Sequence, residues 1–255
     1  MVHCGVLGFP VAHSRSPVMM NAAFAELQMD WRYVHLPISS ALFAETVRAL
    51  PASGYRGANV TIPHKLAAHE LADELTPVAE AIGAVNTLVF GDGLTLGDNT
   101  DAGGFTDALG IEPAGRRALV LGAGGAARAV VWALREAGAE VAVWNRTHER
   151  AVALAEEFGV RAVEHGEPAD ILVNTTSAGL HNEDPAELLP LAPAELVVDL
   201  VYGREPTGLC RWAEAQGARV VGGLEMLVRQ GARSFELWTS RPAPLDAMRT
   251  AAGFV

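Results

Sequence analysis

Four short stretches place polar side chains where a strand ends or a helix begins. "HSRSP" carries Ser14 and Ser16, "NVTIPHK" carries Asn59, Thr61 and Lys65, "GAVNT" carries Asn86, and "GDNTDAGGF" carries Asp101. Two hydroxyls ahead of a helix suit a carboxylate, because the first-turn N–H groups are unpaired and carry partial positive charge. Amide, hydroxyl, ammonium and carboxylate groups together suit a ring bearing several hydroxyls. Plain helix capping accounts for the two serines as well, and Ser16 can do both. A lone lysine in a loop is usually only solvated, so other segments must decide what Lys65 does.

A second set of residues has the spacing of a nucleotide site. "VLGAGGAAR" follows an apolar strand and opens a helix, with Gly122, Gly124 and Ala127 in the three small-residue slots. The first slot permits the turn, the second lets backbone approach a pyrophosphate, and the third allows close helix–strand packing. Gly122, Ala123, Gly124, Gly125 and Ala126 are thus expected against a dinucleotide. A site for NAD ends the next strand with Asp or Glu, about 20 residues on, to hold the ribose 2′-OH. Here that strand ends in Asn145, Arg146 and Thr147. Arg146 would pair with a 2′-phosphate and stack on adenine, and Arg150 is placed to assist. The reading is therefore NADP(H); the plainer one is an exposed arginine beginning a helix. "VNTTSAGL" adds Asn174, Thr175 and Thr176 at a strand end, where ligands of doubly wound sheets sit. Each of these three, taken singly, fits a polar turn nearly as well.

The elements that must position these groups alternate. "CGVLG", "WRYVHL" and "YRGANVTI" read as strands, with helices in "VMMNAAFAEL" and "ALFAETVRAL". Ser16 is expected as a helix N-cap with Pro17 at the first helical position. "AEAIGAVNTLVF" passes from helix to strand, and "GDG" turns it back into "LTLGDN" as a hairpin. "DAGGFTDALG" reads as a helix crossing between two bodies. Buried strands follow in "RALVLG", "EVAVWN", "DILVNTT", "ELVVDLVY" and "ARVVGG". Beyond Gly223 only helix remains, with the last one expected from Pro242. The fold class is α/β in two domains. A substrate domain with a mainly parallel sheet takes residues 1–100 plus 225–255, and a Rossmann-like domain takes 101–224, with a cleft expected between them.

Composition sets bounds. A chain of 255 residues, half of them hydrophobic, has ample core for this plan. The net charge of −11 and the lack of a Lys/Arg stripe argue against nucleic acid and anionic membranes. Two cysteines, Cys4 and Cys210, form no CxxC, so a reducing cytoplasm is expected. No start resembles a signal peptide, and no apolar run reaches the roughly 18 residues needed to span a bilayer. The eight histidines are scattered, with no His/Cys cluster at metal-ligand spacing.

Taken in order, "HSRSP", "NVTIPHK", "IGAVNT", "NTDAGGF", "GAGGAAR", "NRT" and "GLEMLVRQG" resemble the shikimate dehydrogenase family from residue 5 to about 235. The resemblance implies reduction of 3-dehydroshikimate to shikimate with NADPH, on the route to aromatic amino acids. It implies that Ser14 and Ser16 bind the substrate carboxylate. Asn59, Thr61, Asn86 and Asp101 would bind ring hydroxyls. Lys65 matches the catalytic lysine and Asp101 its partner. Gln230 matches a substrate-binding glutamine, Tyr202 a tyrosine near the carboxylate, and Asn145, Arg146 and Thr147 the NADP-selective turn. Two positions depart from the family pattern: Ala102 stands where glycine is usual, and Arg204 where proline is frequent.

Reducing a ketone by hydride places charge on the carbonyl oxygen, which needs a proton donor within reach. Lys65 is expected in that role, and as acceptor in the reverse direction. Asp101 would orient it and favour its charged form, so the pair could also act by electrostatics alone. Two alternatives stay open: a quinate/shikimate dehydrogenase of relaxed substrate or cofactor use, and a silent NADPH-binding protein. The partner is a small-molecule substrate, and monomer and homodimer are both open.

Overall fold

The computed structural model describes residues 1–180, 185–203 and 205–253. The chain divides into two compact units, Met1–Gly104 with the chain from Leu227 onward, and Phe105–Met226. Both junctions fall inside helices rather than in linkers.

The first unit contains β1 (Val2–Gly8), α1 (Ser16–Glu26), β2 (Trp31–Pro37), α2 (Phe43–Ala49), β3 (Tyr55–Val60), α3 (Lys65–Leu71), β4 (Glu74–Leu75), α4 (Pro77–Ile82), β5 (Thr87–Gly91) and β6 (Leu94–Asp98). α5 (Thr100–Leu109) starts in it. Its sheet runs β2-β1-β3-β5-β6-β4. β1 pairs in parallel with β2 and β3, and β4 with β6, while β3–β5 and β5–β6 are antiparallel. The β5–β6 turn has Asp92 and Gly93 both at positive φ, 52° and 79°, as a two-residue hairpin of this twist demands. β3 stops at Val60, short of the expected Ile62, although the Thr61 N–H still bonds the Leu7 carbonyl and the Ile62 carbonyl accepts from Phe9 N–H.

One face of this sheet is covered by Met19, Met20 and Phe24 of α1 with Phe235, Trp238 and Met248 from the end of the chain. Leu7, Phe43, Val47, Val60, Leu88 and Phe90 pack in a second cluster. Burial of each such large side chain contributes about 1.5–3 kcal/mol. Gly57 matters here: a Cβ on it would lie 2.1 Å from Trp238 Nε1. Its absence lets that N–H donate to the Leu88 carbonyl at 3.0 Å.

The second unit contains β7 (Arg117–Leu121), α6 (Gly125–Glu136), β8 (Glu140–Trp144), α7 (His148–Phe158), β9 (Arg161–Ala162), β10 (Ala169–Asn174), α8 (Pro185–Leu188), β11 (Ala194–Asp199), α9 (Gly208–Ala215) and β12 (Arg219–Gly222). Its sheet is wholly parallel, in the order β12-β11-β10-β7-β8-β9. Strand order reverses between β7 and β10, the place where a doubly wound sheet binds its ligand. α6 buries Ala127, Val130, Val131 and Leu134 at helical spacing.

α10 (Gly223–Thr239) and α11 (Leu245–Ala252) close the chain. α11 begins three residues after the expected Pro242. Arg241 and Ala243 both precede prolines, which biases them away from helical backbone. Among the described residues no helix is long and apolar enough to cross a membrane.

Candidate active site

Asp101 owes its place to the start of α5. Asn99 Oδ1 accepts from the N–H groups of Asp101 and Ala102 at 3.1 and 3.4 Å, capping the helix. Asn99 Nδ2 is anchored on the Ala84 carbonyl at 2.8 Å. A carboxylate in the first turn is also favoured by the helix dipole. Lys65 opens α3, and its own carbonyl accepts from Val85 N–H at 2.9 Å, tying α3 to the segment that carries Asn86. Lys65 Nζ donates to Asp101 Oδ2. The two side chains are only 12% and 6% exposed. Ala102, one of the departures, is buried at 1% exposure beside them in sequence; the other, Arg204, lies outside the described residues.

Asn86 supports the other side of the carboxylate. Its Nδ2 donates to Asp101 Oδ1 at 2.8 Å and, more loosely, to Gln230 Oε1 at 3.4 Å. Its Oδ1 accepts from Thr100 N–H at 2.8 Å. Gln230 reaches this point from α10, with its Nε2 held on the Leu227 carbonyl at 2.8 Å. The 3.4 Å contact is the longest and weakest of these bonds.

Asn59 lies at the end of β3. It is buried, its Oδ1 accepts from the Tyr33 hydroxyl at 2.8 Å, and its Nδ2 donates to Ser234, Thr87 and the Asn86 carbonyl. Thr61 follows β3, half-buried, with its N–H on the Leu7 carbonyl at 2.8 Å.

Ser14 and Ser16 form their own pair, Oγ to Oγ at 3.2 Å. The N-cap expectation for Ser16 is corrected. Ser16 is the first residue of α1, the cap position is Arg15, and the capping oxygen belongs to Ser14, which accepts Ser16 N–H at 3.3 Å. Arg15 already has helical backbone, with φ −85° and ψ −2°, so the chain enters the helix one residue sooner. Tyr202 follows β11 in the second unit and is half-buried.

The nucleotide loop joins β7 to α6. Gly122 sits at φ +114°, where a side chain is strained, and a Cβ there would lie 2.4 Å from Thr175 Oγ1. Thr175 in turn bonds the Leu121 carbonyl through both N–H and hydroxyl, at 2.9 and 2.7 Å. Gly124 is the N-cap of α6 with nothing within 4 Å of its virtual Cβ. The N–H groups of Gly125 and Ala126 begin that helix with no intrahelical acceptor. Ala123 completes the turn and is half-buried. This is an open cradle for a phosphate, and the residues present fit a dinucleotide.

At the end of β8, Asn145 Nδ2 donates to the Thr147 carbonyl at 2.9 Å, and Thr147 precedes α7 as its cap. Arg146 and Arg150 are exposed and paired with no carboxylate among the described residues. Two unneutralised guanidiniums at this turn suit a 2′-phosphate. Thr175 and Thr176 are half-buried, whereas Asn174 is 0% exposed. Asn174 Oδ1 accepts from Thr176 N–H and hydroxyl, and its Nδ2 donates to Asp199 Oδ1 at 2.8 Å. Asn174 thus ties the loop to β11. Burial pushes the Asp199 carboxyl above its ordinary value, against the lowering effect of bonds from Thr207, Val201 and Asn174.

Sequence reasoning passed over Tyr33, Thr87, Thr100, Ser234 and Asp199. Thr87 and Thr100 adjoin Asn86 and Asp101 within motifs already singled out, and Ser234 lies one helical turn after Gln230. That adjacency was the signal; Tyr33 and Asp199 gave none. The free cysteines are buried, and burial pushes the Cys4 thiol up to about 12. It is not a nucleophile.

Comparison with known proteins agrees with these features. Residues 6–88 match the family model described as the shikimate dehydrogenase substrate binding domain, residues 108–182 that of shikimate/quinate 5-dehydrogenase, and residues 223–252 the shikimate 5′-dehydrogenase C-terminal domain. The chain is 44% identical to shikimate dehydrogenase (NADP(+)) of Methanothermobacter thermautotrophicus, over 97% of this chain and 94% of that one. It is 47% identical to the same enzyme of Thermus thermophilus, over 99% and 98%. Among solved structures, shikimate 5-dehydrogenase of another Thermus thermophilus strain, in complex with NADP(H) and shikimate, superposes with a TM-score of 0.89, at 45% identity and 99% and 98% coverage. Shikimate dehydrogenase of Aquifex aeolicus gives 0.92 at 36% identity, covering 100% and 98%.

Proposed function

This chain belongs to the shikimate dehydrogenase family, and from that premise we propose that it catalyses the reversible NADPH-dependent reduction of 3-dehydroshikimate to shikimate, a step toward aromatic amino acids. The observation that carries the reading is the buried Lys65–Asp101 pair, bracketed by Asn86 and facing Gln230. Bound NADPH supplies the hydride. Lys65 Nζ donates its proton to the oxygen that becomes the shikimate hydroxyl, and takes it back in the oxidation. Asp101 Oδ2 holds Nζ in place and favours its charged form. Preorganised donors at a water-poor site stabilise the developing oxyanion without further rearrangement.

Ser14, Ser16 and Tyr202 hold the substrate carboxylate, while Asn59, Thr61, Asn86 and Asp101 read the ring hydroxyls and Gln230 binds the substrate from α10. Gly122 to Ala126 cradle the pyrophosphate, Asn174, Thr175 and Thr176 border it, and Asn145, Arg146, Thr147 and Arg150 select the 2′-phosphate. The substrate-binding part is residues 1–100 plus 225–255 and the cofactor part 101–224. The free buried cysteines suit the cytoplasm. A crystal structure with NADP(H) and shikimate tests the reading. A ring oxygen within hydrogen-bond reach of Lys65 Nζ is expected; a ring bound elsewhere overturns it.

A further inference from the structure

Gly104 of α5 and Gln230 of α10, both in the first unit, meet with no side chain of Gly104 between them. Gly104 lies one helical turn after Asp101. A Cβ on it would stand 2.6 Å from the Gln230 backbone nitrogen, 2.7 Å from its Cβ and 2.8 Å from its Cα. Non-bonded carbons settle at about 3.5–4.0 Å, so a methyl there would need about 1 Å more room. No flexible side chain could swing away to give it, because the atoms met are the main chain and first side-chain carbon of Gln230.

Glycine inside a helix is otherwise a cost, since it loses more chain entropy than alanine, the better helix former. α5 carries two, Gly103 and Gly104, and they face different things. A Cβ on Gly103 would meet the guanidinium of Arg233 at 2.6–2.7 Å, the far end of an exposed side chain that can move aside. α10 itself has little room to retreat from Gly104. Phe235 and Trp238 are fixed in the core, Trp238 also by its bond to the Leu88 carbonyl, and Gly231 already packs on the buried Met19. Asp101 is held by Lys65, by Asn86 and by the Asn99 cap. Gln230 Oε1 meets Asn86 at 3.4 Å, the loosest bond of the group. A methyl at Gly104 would therefore displace Gln230 rather than Asp101.

We propose that Gly104 is a positioning residue that sets how closely Gln230 approaches Asn86 beside Asp101, a role that rests on Gln230 binding the substrate. It acts through Gln230. Its missing side chain lets the α10 backbone come close enough for the Gln230 amide to share the ring with Asn86. Displacement of such a group by about 1 Å is enough to cost catalysis, because the reacting geometry is that narrow.

Steady-state kinetics of Gly104→Ala, Gly103→Ala, Gln230→Ala and the double variant Gly104→Ala with Gln230→Ala test it. Gly104→Ala is expected to lower kcat/KM for shikimate about 10- to 100-fold while KM for NADP changes less than about twofold. Gly103→Ala, with the same gain in helix propensity, should stay within about threefold of wild type in both. Added to Gln230→Ala, the Gly104 change should lower kcat/KM less than about threefold further, because the amide it displaces is gone. A wild-type value in Gly104→Ala, an equal loss in Gly103→Ala, or an undiminished loss in the double variant overturns the proposal. If Gly104→Ala yields no folded protein, Gln230→Asn draws the amide back by one methylene on an unchanged backbone. A loss in kcat/KM for shikimate with retained KM for NADP is expected there, and wild-type kinetics overturn the proposal. Gln230→Ala tests the premise apart. A normal kcat/KM for shikimate in that variant removes Gln230 from the site and the proposal with it, whereas a loss there beside a normal Gly104→Ala rejects Gly104 alone.

Discussion

Lys65 Nζ and Asp101 Oδ2 meet in a hydrogen-bonded ion pair whose side chains are almost wholly withdrawn from water. Such a pair is poor evidence for stability, since the cost of desolvating both charges offsets their attraction. The role proposed for it is chemical instead. Lys65→Ala should lower kcat by roughly 10²–10⁴-fold, far more than it raises KM for shikimate. Asp101→Asn should also lower kcat. Initial rates across both substrates check this, and a near-normal kcat for Lys65→Ala would sink the assignment.

Arg146 is the residue proposed to carry the cofactor preference. Loss of a charge-assisted contact to the 2′-phosphate is worth about 1.5–3 kcal/mol, or roughly 10- to 150-fold in affinity. Arg146→Ala should raise KM for NADP by that order and leave KM for NAD nearly as it was. Arg150→Ala should act in the same direction, more weakly. Equal effects on both nucleotides would contradict the turn's role.

The two serines are separable. Ser14 accepts the Ser16 N–H, so Ser14→Ala should cost about 1 kcal/mol of stability, seen as a lower Tm. Ser16→Ala spares that cap and should leave Tm closer to wild type. Both should raise KM for shikimate, since each removes a hydroxyl proposed to hold the carboxylate. A normal KM in both variants would leave capping as their whole role.

Asp199 gives stability a pH signature. Burial raises its folded pKa above the unfolded value, so the folded protein holds the proton more tightly. Its stabilising share is full below the unfolded pKa and is lost as pH rises through the folded one. Urea midpoints against pH should therefore fall through that window in the wild type. Asp199→Asn should lack that limb, and parallel curves for the two proteins would refute the assignment.

Much of this was legible from residues. The alternation of strands and helices, the glycine turn at Gly122, and Arg146 without a neighbouring acid are local signals. Lys65 and Asp101 lay in quoted motifs, although only the fold brings residues so far apart into contact. What escaped was set by tertiary packing. The partners of Asn59, Tyr33 and Ser234, come from other elements that no local pattern names. The bond from Asn174 to Asp199 likewise joins two strands distant in sequence. Ser16 looked like a cap because Pro17 follows it; backbone dihedrals at Arg15 moved the helix start.

The most direct measurement follows nicotinamide absorbance with purified protein, offering shikimate and quinate each with NADP and with NAD. The account predicts efficient turnover of shikimate with NADP and much weaker turnover in the other three combinations. Comparable turnover of quinate, or a preference for NAD, would contradict the specificity claim, and no turnover with any pair would contradict the activity itself.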